Sequence, residues 1–535
     1  MSAGGVQREL RLGAWLLPVA VLGGVSLLVF GATMAVDAWR TGVGWNVLRG
    51  LLDADPEMAW NTLGNLAQVV AAILGIAITV VSIIVELAAN RYTPRITELF
   101  IRAPVNFAVL GFFLVSCLVC VWVSMAVHTE FVPQVGIAVT VVLLTASLLL
   151  LIPYFAYVFR FLAPGQVIRR LGRDAIAAIG AAAGGDDAAV GRAKAPVVEE
   201  VEQLADISMN AIPNADKAIA MHAVRTLSDL LAAYAVAKPT LGKSWFALDA
   251  SLVANPDFVS MDPEVLADLE RHRLWLEMKV LRQYQTAYAE ALGRQREISH
   301  MIAMHTRALA ERCIAKADGE ALDLSIKFFN TYLRATINAR DVRTGFNVLH
   351  QYRMLAEAAL RAGDAATARA IGRHFAYYGQ VAFSSGLPFL LETVAYDLCA
   401  LNECAFEVGA GATLRDELLA VFLQVDKEAE GLHGEHEASL RGVRKAQIKL
   451  ATFYLARGEE GLARRIFDDI QGEAVDRLRS IRGELDAVTS KYFWEVTDRG
   501  MNMDYIAPER RPHLARFFAW FGDRLATNED KEERA

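Results

Sequence analysis

The chain has 535 residues, more than a single hydrophobic core ordinarily serves, so two or more domains are expected. Hydrophobic residues make up 54 % and the mean hydropathy is +0.28, with the excess gathered in the first third. That asymmetry points to a membrane protein with a soluble extension. A net charge of −7 without a dominant basic stripe excludes nucleic acid as the partner, and five irregularly spaced cysteines exclude a disulfide framework.

In chain order, Arg8 and Arg11 precede an apolar run over 14–36. The run is longer than a signal-peptide core and 37–40 lacks a cleavage pattern, so it reads as a retained first span. Pro18, Gly23 and Gly24 are tolerated in such a helix. A polar loop with Trp39, Trp45 and Trp60 as interface anchors leads to a second span over 61–87. Here the polar and small residues are ordered: Asn61, Asn65, Gln68, Ala72, Gly75, Thr79, Ser82 and Glu86 follow steps of four and three, one seam down one face. Lipid does not satisfy amides and carboxylates, so the seam must face protein or water. Two readings follow: a packing seam against neighbouring helices or another subunit, or the lining of a hydrated pore with Glu86 at its mouth.

Third and fourth spans fit 104–127 and 135–159, with Cys117 and Cys120 in the third reading as buried free thiols. One set of loops collects Arg8, Arg11, Arg91, Arg95, Arg102, Arg160, Arg169, Arg170 and Arg173; the other has only Arg40 and Arg49. By the positive-inside rule both termini are cytoplasmic. The connector carrying Arg91, Pro94, Arg95 and Arg102 then lies on the cytoplasmic side, as a helix at the membrane surface or a plain connector packed on the soluble domain.

The transmembrane domain is expected over 1–173, followed by a small, Gly-rich linker over 174–196. A helical cytosolic domain is expected over 197–526, and a charged disordered tail over 527–535. Helical period dominates beyond the linker, and the single candidate strand is 245–259. Two segments fit tetratricopeptide-like hairpins: Leu355, Ala356, Ala359, Ala368 and Gly372, and Leu450, Ala451, Tyr454, Ala463 and Phe467 around Gly458. They lie 95 residues apart, not a multiple of 34, which predicts an irregular bundle or solenoid rather than a regular array.

Chemistry-bearing motifs are weak. Residues 237–244 (AKPTLGKS) resemble a phosphate loop, but a helical segment precedes them and Pro239 sits inside. His433 and His436 lack a third and fourth ligand nearby. No catalytic, cofactor or metal site is expected, and the chain reads as a non-enzyme.

The exit of the second span, NRYTPR (90–95), resembles the Ser-Gln-Phe-Ser-Pro-Arg-like motif of a large family of uncharacterised bacterial membrane proteins, a domain of unknown function. The stretch QLADISMNAIPNADKAIAMHAVRTLSDLL looks like that family's cytoplasmic signature, although Lys217 follows Asn214, Ala215 and Asp216 where the family carries Asn-Asp-Pro. The resemblance covers about residues 10–280 and implies four spans with a cytoplasmic remainder, without an assigned activity. The expectation is an all-α protein of the bacterial inner membrane: a four-helix transmembrane domain followed by a cytosolic helical solenoid. It self-associates through Asn61, Asn65, Gln68, Gly75, Thr79, Ser82 and Glu86 amid membrane lipid and docks cytosolic protein partners. The alternatives are an ion-conducting or mechanically gated oligomer and, third, a membrane-anchored enzyme.

Overall fold

The computed structural model describes residues 55–91, 103–128, 132–185, 187–427 and 437–524, with isolated positions within 24–39 and 97–101. The expected first span over 14–36 falls outside the described residues except at scattered helical positions. The tail and the His433–His436 pair fall outside them entirely. The chain divides into two compact units, 1–170 and 171–535.

In the first unit three helices are long and apolar enough to cross a membrane: α1 (Pro56–Arg91), α2 (Pro104–Ala126) and α3 (Gln134–Phe161). Pro104 opens α2 at a position whose N–H has no intrahelical partner in any case. Helix α1 buries Leu63, Val70, Ala77, Val81, Val85 and Ala88, a single stripe packed on α2 and α3. Between helices the glue is polar and small. Ser116 and Ser147 are fully buried with their hydroxyls 3.1 Å apart. The Ser116 hydroxyl donates to the Phe112 carbonyl at 2.8 Å, and buried Thr140 donates to Gly136 at 2.8 Å. Cys120 is a buried free thiol that donates to the Leu63 carbonyl of α1 at 3.3 Å, while Cys117 is only half-buried. Lipid offers no hydrophobic drive between helices, so such close contacts and shared hydrogen bonds hold the bundle.

The second unit corrects two expectations. The segment expected as a flexible linker is helical: α4 (Pro164–Ala182) and α5 (Asp187–Ala211) occupy it. Its small residues are alanines, the best helix formers, and Leu171, Ala175, Ile179 and Ala182 recur at helical steps and are buried. Gly172 permits the close approach of α6 (Lys217–Ala237), because a Cβ there would lie 2.4 Å from the Thr226 methyl. The expected strand at 245–259 is instead two single-turn helices, Lys243–Phe246 and Ala250–Val253, joined by turns. Its apolar residues answer to local burial rather than alternation. Trp245 packs 5.4 Å from Trp275, whose indole N–H donates to the Trp245 carbonyl at 2.8 Å.

After α7 (Pro263–Arg271) comes a run of long helices: α8 (Trp275–Ala291), α9 (Arg296–Lys316), α10 (Gly319–Asn338), α11 (Val342–Arg361), α12 (Ala365–Ser384), α13 (Pro388–Glu407) and α14 (Ala412–Leu423). It continues with α15 (Glu437–Ala456), α16 (Glu460–Ile470), α17 (Val475–Ala487) and α18 (Arg511–Ala519). Each of α8 to α13 packs on the next helix and on the next but one. The result is two layers, α9–α11–α13–α15 and α8–α10–α12–α14. Aromatic side chains tie neighbouring helices together: Tyr288 stacks on Tyr332 at 4.6 Å and Phe329 on Tyr352 at 4.8 Å.

The array is more regular than expected. Residues with left-handed φ, at Ala317, Arg340, Gly363, Gly386 and Gly409, recur every 23 positions. At each turn the amide of the next residue bonds back to the closing helix: Asp318 to Cys313, Asp341 to Thr336, Asp364 to Ala359, Leu387 to Ala382 and Ala410 to Ala405. Asp318, Asp341 and Asp364 then cap the following helix, accepting from Ala321, Thr344 and Thr367 at 3.1–3.2 Å. The unit is one helix and one turn. A search at the 34-residue hairpin period misses it. Both hairpins read from sequence are present, as α11–α12 and α15–α16, with Gly363 and Gly458 at their turns.

Gly363 has φ +80°, and no described atom lies within 4 Å of where a Cβ would stand on it, so backbone strain alone governs substitution there. Gly363→Ala is expected to destabilise the second unit by roughly 1–2 kcal/mol, the left-handed penalty of an L-residue. Urea unfolding of the detergent-solubilised chain followed by circular dichroism measures this, and an unchanged midpoint contradicts it.

Candidate functional site

Two surfaces carry polar groups in places that call for an occupant. The first is the seam on α1. All of Asn61, Asn65, Gln68, Ala72, Gly75, Thr79, Ser82 and Glu86 are exposed, on the side of the helix opposite the stripe that meets α2 and α3. Thr79 satisfies its hydroxyl within the helix, donating to the Gly75 carbonyl at 2.9 Å. Asn61, Asn65 and Gln68 make no side-chain hydrogen bond to the described residues. No described atom lies within 4 Å of where a Cβ would stand on Gly64 or Gly75. The eight positions fall on one face of α1, and α2 and α3 leave that face uncovered. Of the connector residues, Arg91 ends α1, while Pro94, Arg95 and Arg102 lie outside the described residues.

Sequence reasoning passed over the buried polar set of α2 and α3. A signal existed: Thr140, Ser147 and Tyr154 recur every seven residues in a mainly apolar run, and all three are buried.

The second surface lies on the α9–α11–α13–α15 layer, and no sequence motif anticipated it. Between α17 and α18 the chain forms a small irregular hairpin. Tyr492 bridges to Met501, Asn502 N–H donates to the Lys491 carbonyl at 3.0 Å, and Gly500 turns the tip with φ +68°. The tip residue Arg499 grips buried Asp397 of α13 with both guanidinium nitrogens, at 2.6 and 3.1 Å. It also donates to the Phe346 carbonyl of α11 at 2.7 Å and lies 4.1 Å from the centre of the Phe346 ring. Asn347 donates to Asp498 at 2.8 Å, Lys449 donates to the Met503 carbonyl at 2.7 Å, and Lys445 pairs with Asp504 at 3.1 Å. The Tyr396 hydroxyl donates to Asp504 as well.

Beside the hairpin an open cleft of about 860 Å³ remains, walled by Phe346, Phe389, Phe493, Val496, Glu392 and Arg343 among others. Burial and the neighbouring Asp504 push the Glu392 carboxyl up, against Lys445. His350 sits near the Arg499 grip. Burial pushes its pKa down to about 4, helped by Arg499, Arg353 and His300 and opposed by Asp397. Among the described residues no cluster of three metal-ligating side chains occurs. Lys238 of the phosphate-loop-like stretch is engaged by Glu277 at 2.6 Å and Asp318 at 2.7 Å, so that motif serves an ion-pair network.

A folded pKa below the unfolded value means the unfolded chain binds the proton first. His350 therefore contributes stability that is present above the unfolded value of 6.5 and lost as pH falls toward about 4. Arg499→Ala is expected to raise the His350 pKa, and Asp397→Asn to lower it further. Histidine-selective NMR titration reads both, and a His350 titration unmoved by Arg499→Ala contradicts the assigned field.

Comparison with known proteins adds a family and little else. No curated protein matches the chain. A solved structure titled "Circular tandem repeat protein with novel repeat topology and enhanced subunit contact surfaces" aligns with 80 % of this chain and 98 % of its own, at 15 % identity and a TM-score of 0.35. Residues 11–211 match the family described as "Predicted membrane protein (DUF2254)", a membrane protein family of unknown function, in keeping with the three membrane-length helices.

Proposed function

We propose that this chain is a non-enzymatic membrane scaffold that self-associates through the polar seam of α1 and offers its helical array to cytosolic protein partners. The observation that carries the reading is the exposure of the whole seam on the side of α1 away from its own bundle. Amide side chains facing hydrocarbon are costly, and the small residues Gly64, Ala72 and Gly75 allow a second backbone to approach. A second copy presenting the same seam satisfies both needs. The arginine bias of the loops supports placing the helical array in the cytoplasm of a bacterial cell. The array itself supports docking, since each added helix extends one continuous face. The same exposed seam supports a second reading, a cation-conducting oligomer with Glu86 repeated around its mouth.

Oxidative cross-linking separates these ideas. Thr79→Cys, on the seam, is expected to give a disulfide-linked dimer in membranes, whereas Val81→Cys, on the buried stripe, is expected to give none. Gln68→Leu should weaken association roughly threefold to tenfold, the effect of losing one interhelical hydrogen bond of about 1 kcal/mol. Reconstituted protein should leave bilayers electrically silent with or without tension. A conductance whose cation preference changes in Glu86→Gln would establish the pore reading instead. Absence of any Thr79→Cys dimer would remove self-association through the seam.

A further inference from the structure

The hairpin at 491–502 is an unusual structural element. An element added for stability buries its aromatic side chains, yet here Tyr492 is 70 %, Trp494 80 % and Val496 105 % exposed. What holds the hairpin is charge and hydrogen bonding at its tip and outgoing arm, against α11, α13 and α15. The array is prepared to lose that contact. Asp397 also pairs with Arg353 of α11 at 3.1 Å, so it keeps a cationic partner when Arg499 leaves. Arg499, Asp498 and Asp504 in turn would meet water. The cleft beside the hairpin is walled both by Phe346, Phe389 and Glu392 of the array and by Phe493, Val496 and Met501 of the hairpin, so the hairpin leaves part of that face open.

We propose that the face formed by α11, α13 and α15 is a recognition groove for a protein segment presenting an arginine flanked by acidic residues, and that the hairpin around Arg499 occupies this groove in cis. The partner's chemistry is read from the anchors. Asp397 with the Phe346 carbonyl and ring takes a guanidinium in bidentate fashion, a geometry that lysine does not reproduce. Asn347 and Arg343 take a carboxylate immediately before it, as they take Asp498 at 2.8 and 3.7 Å. Lys445 and Tyr396 take a second carboxylate five residues after the arginine, as they take Asp504. An internal occupant raises the apparent dissociation constant of a partner, which is the intrinsic value divided by the fraction of time the groove is open. This inference rests on the reading of the helical array as a docking domain and gives that domain a specific address.

The test uses the full-length chain in detergent and a fluorescent synthetic peptide of residues 490–505. Arg499→Ala is expected to raise amide hydrogen exchange across 491–504 and to let the peptide bind at least tenfold more tightly than it binds the wild type. The same peptide with alanine in place of its arginine should not bind, and Asp397→Asn added to Arg499→Ala should abolish binding. Should Arg499→Ala lose helical signal, the double variant Asp498→Ala with Asp504→Ala opens the hairpin through less buried anchors and takes its place. A hairpin that stays protected in both variants, or a freed groove that binds peptide no better than the wild type, overturns the proposal. Either result leaves docking elsewhere on the array intact. The broader docking reading falls separately, if reporter fusions place residues 171–535 outside the cytoplasm.

Discussion

A left-handed turn every 23 residues is the constraint on which the larger unit depends. A helix of 20 residues closes with an amide bonding back across a residue of positive φ, and the next helix starts on the residue after. Where the following residue is aspartate, at 318, 341 and 364, its carboxylate takes up an orphan amide of the new helix. Equal helices joined by equal turns place every second helix in the same layer. That repetition places α9, α11 and α13 on one face; α15, which follows the shorter α14, packs on α13, and the hairpin around Arg499 lies on the face so extended.

Buried charge in this unit follows a common rule: each cation that leaves water has carboxylates around it. Lys279 is fully buried and meets Glu202 at 2.9 Å and Asp257 at 2.8 Å. Arg444 is held among Asp426, Asp469 and Glu473, which keep its guanidinium charged against burial. Such networks add little net stability over apolar packing but penalise any other register heavily. At Asp397 the arrangement is reversed: one buried carboxylate meets two arginines, Arg353 of α11 and Arg499 of the hairpin.

The membrane unit answers to a different solvent. In lipid, hydrophobic side chains gain nothing by facing each other, so the helices meet where side chains are small or share hydrogen bonds. Ser116, Ser147, Thr140 and Cys120 play that part inside the bundle. The seam of α1 shares small and hydroxyl residues with them in Gly75, Thr79 and Ser82, adds the amides Asn61, Asn65 and Gln68 and the carboxylate Glu86, and is left uncovered by α2 and α3. Polar groups on a face turned away from the bundle are the reason for proposing the seam as an interface.

Much of this was legible in the sequence, because the information was local. Length and apolarity marked three of the spans, steps of four and three marked the seam, and Gly363 and Gly458 between apolar stripes marked two hairpins. The misreadings came from composition taken without partners. An Ala- and Gly-rich stretch read as a linker is helical because its alanines meet other helices, and the stretch from Trp245 to Val259 turns rather than extends, with Trp245 packed on Trp275. The 23-residue repeat was present but masked, since its turn residue is Ala317 or Arg340 as readily as glycine. Tertiary structure alone decided which face of α1 is covered and that Arg499 meets Asp397 across 102 residues. Neither is a property of a local period: a helical stripe says that a face is polar, and only the packing of other segments says what stands opposite it.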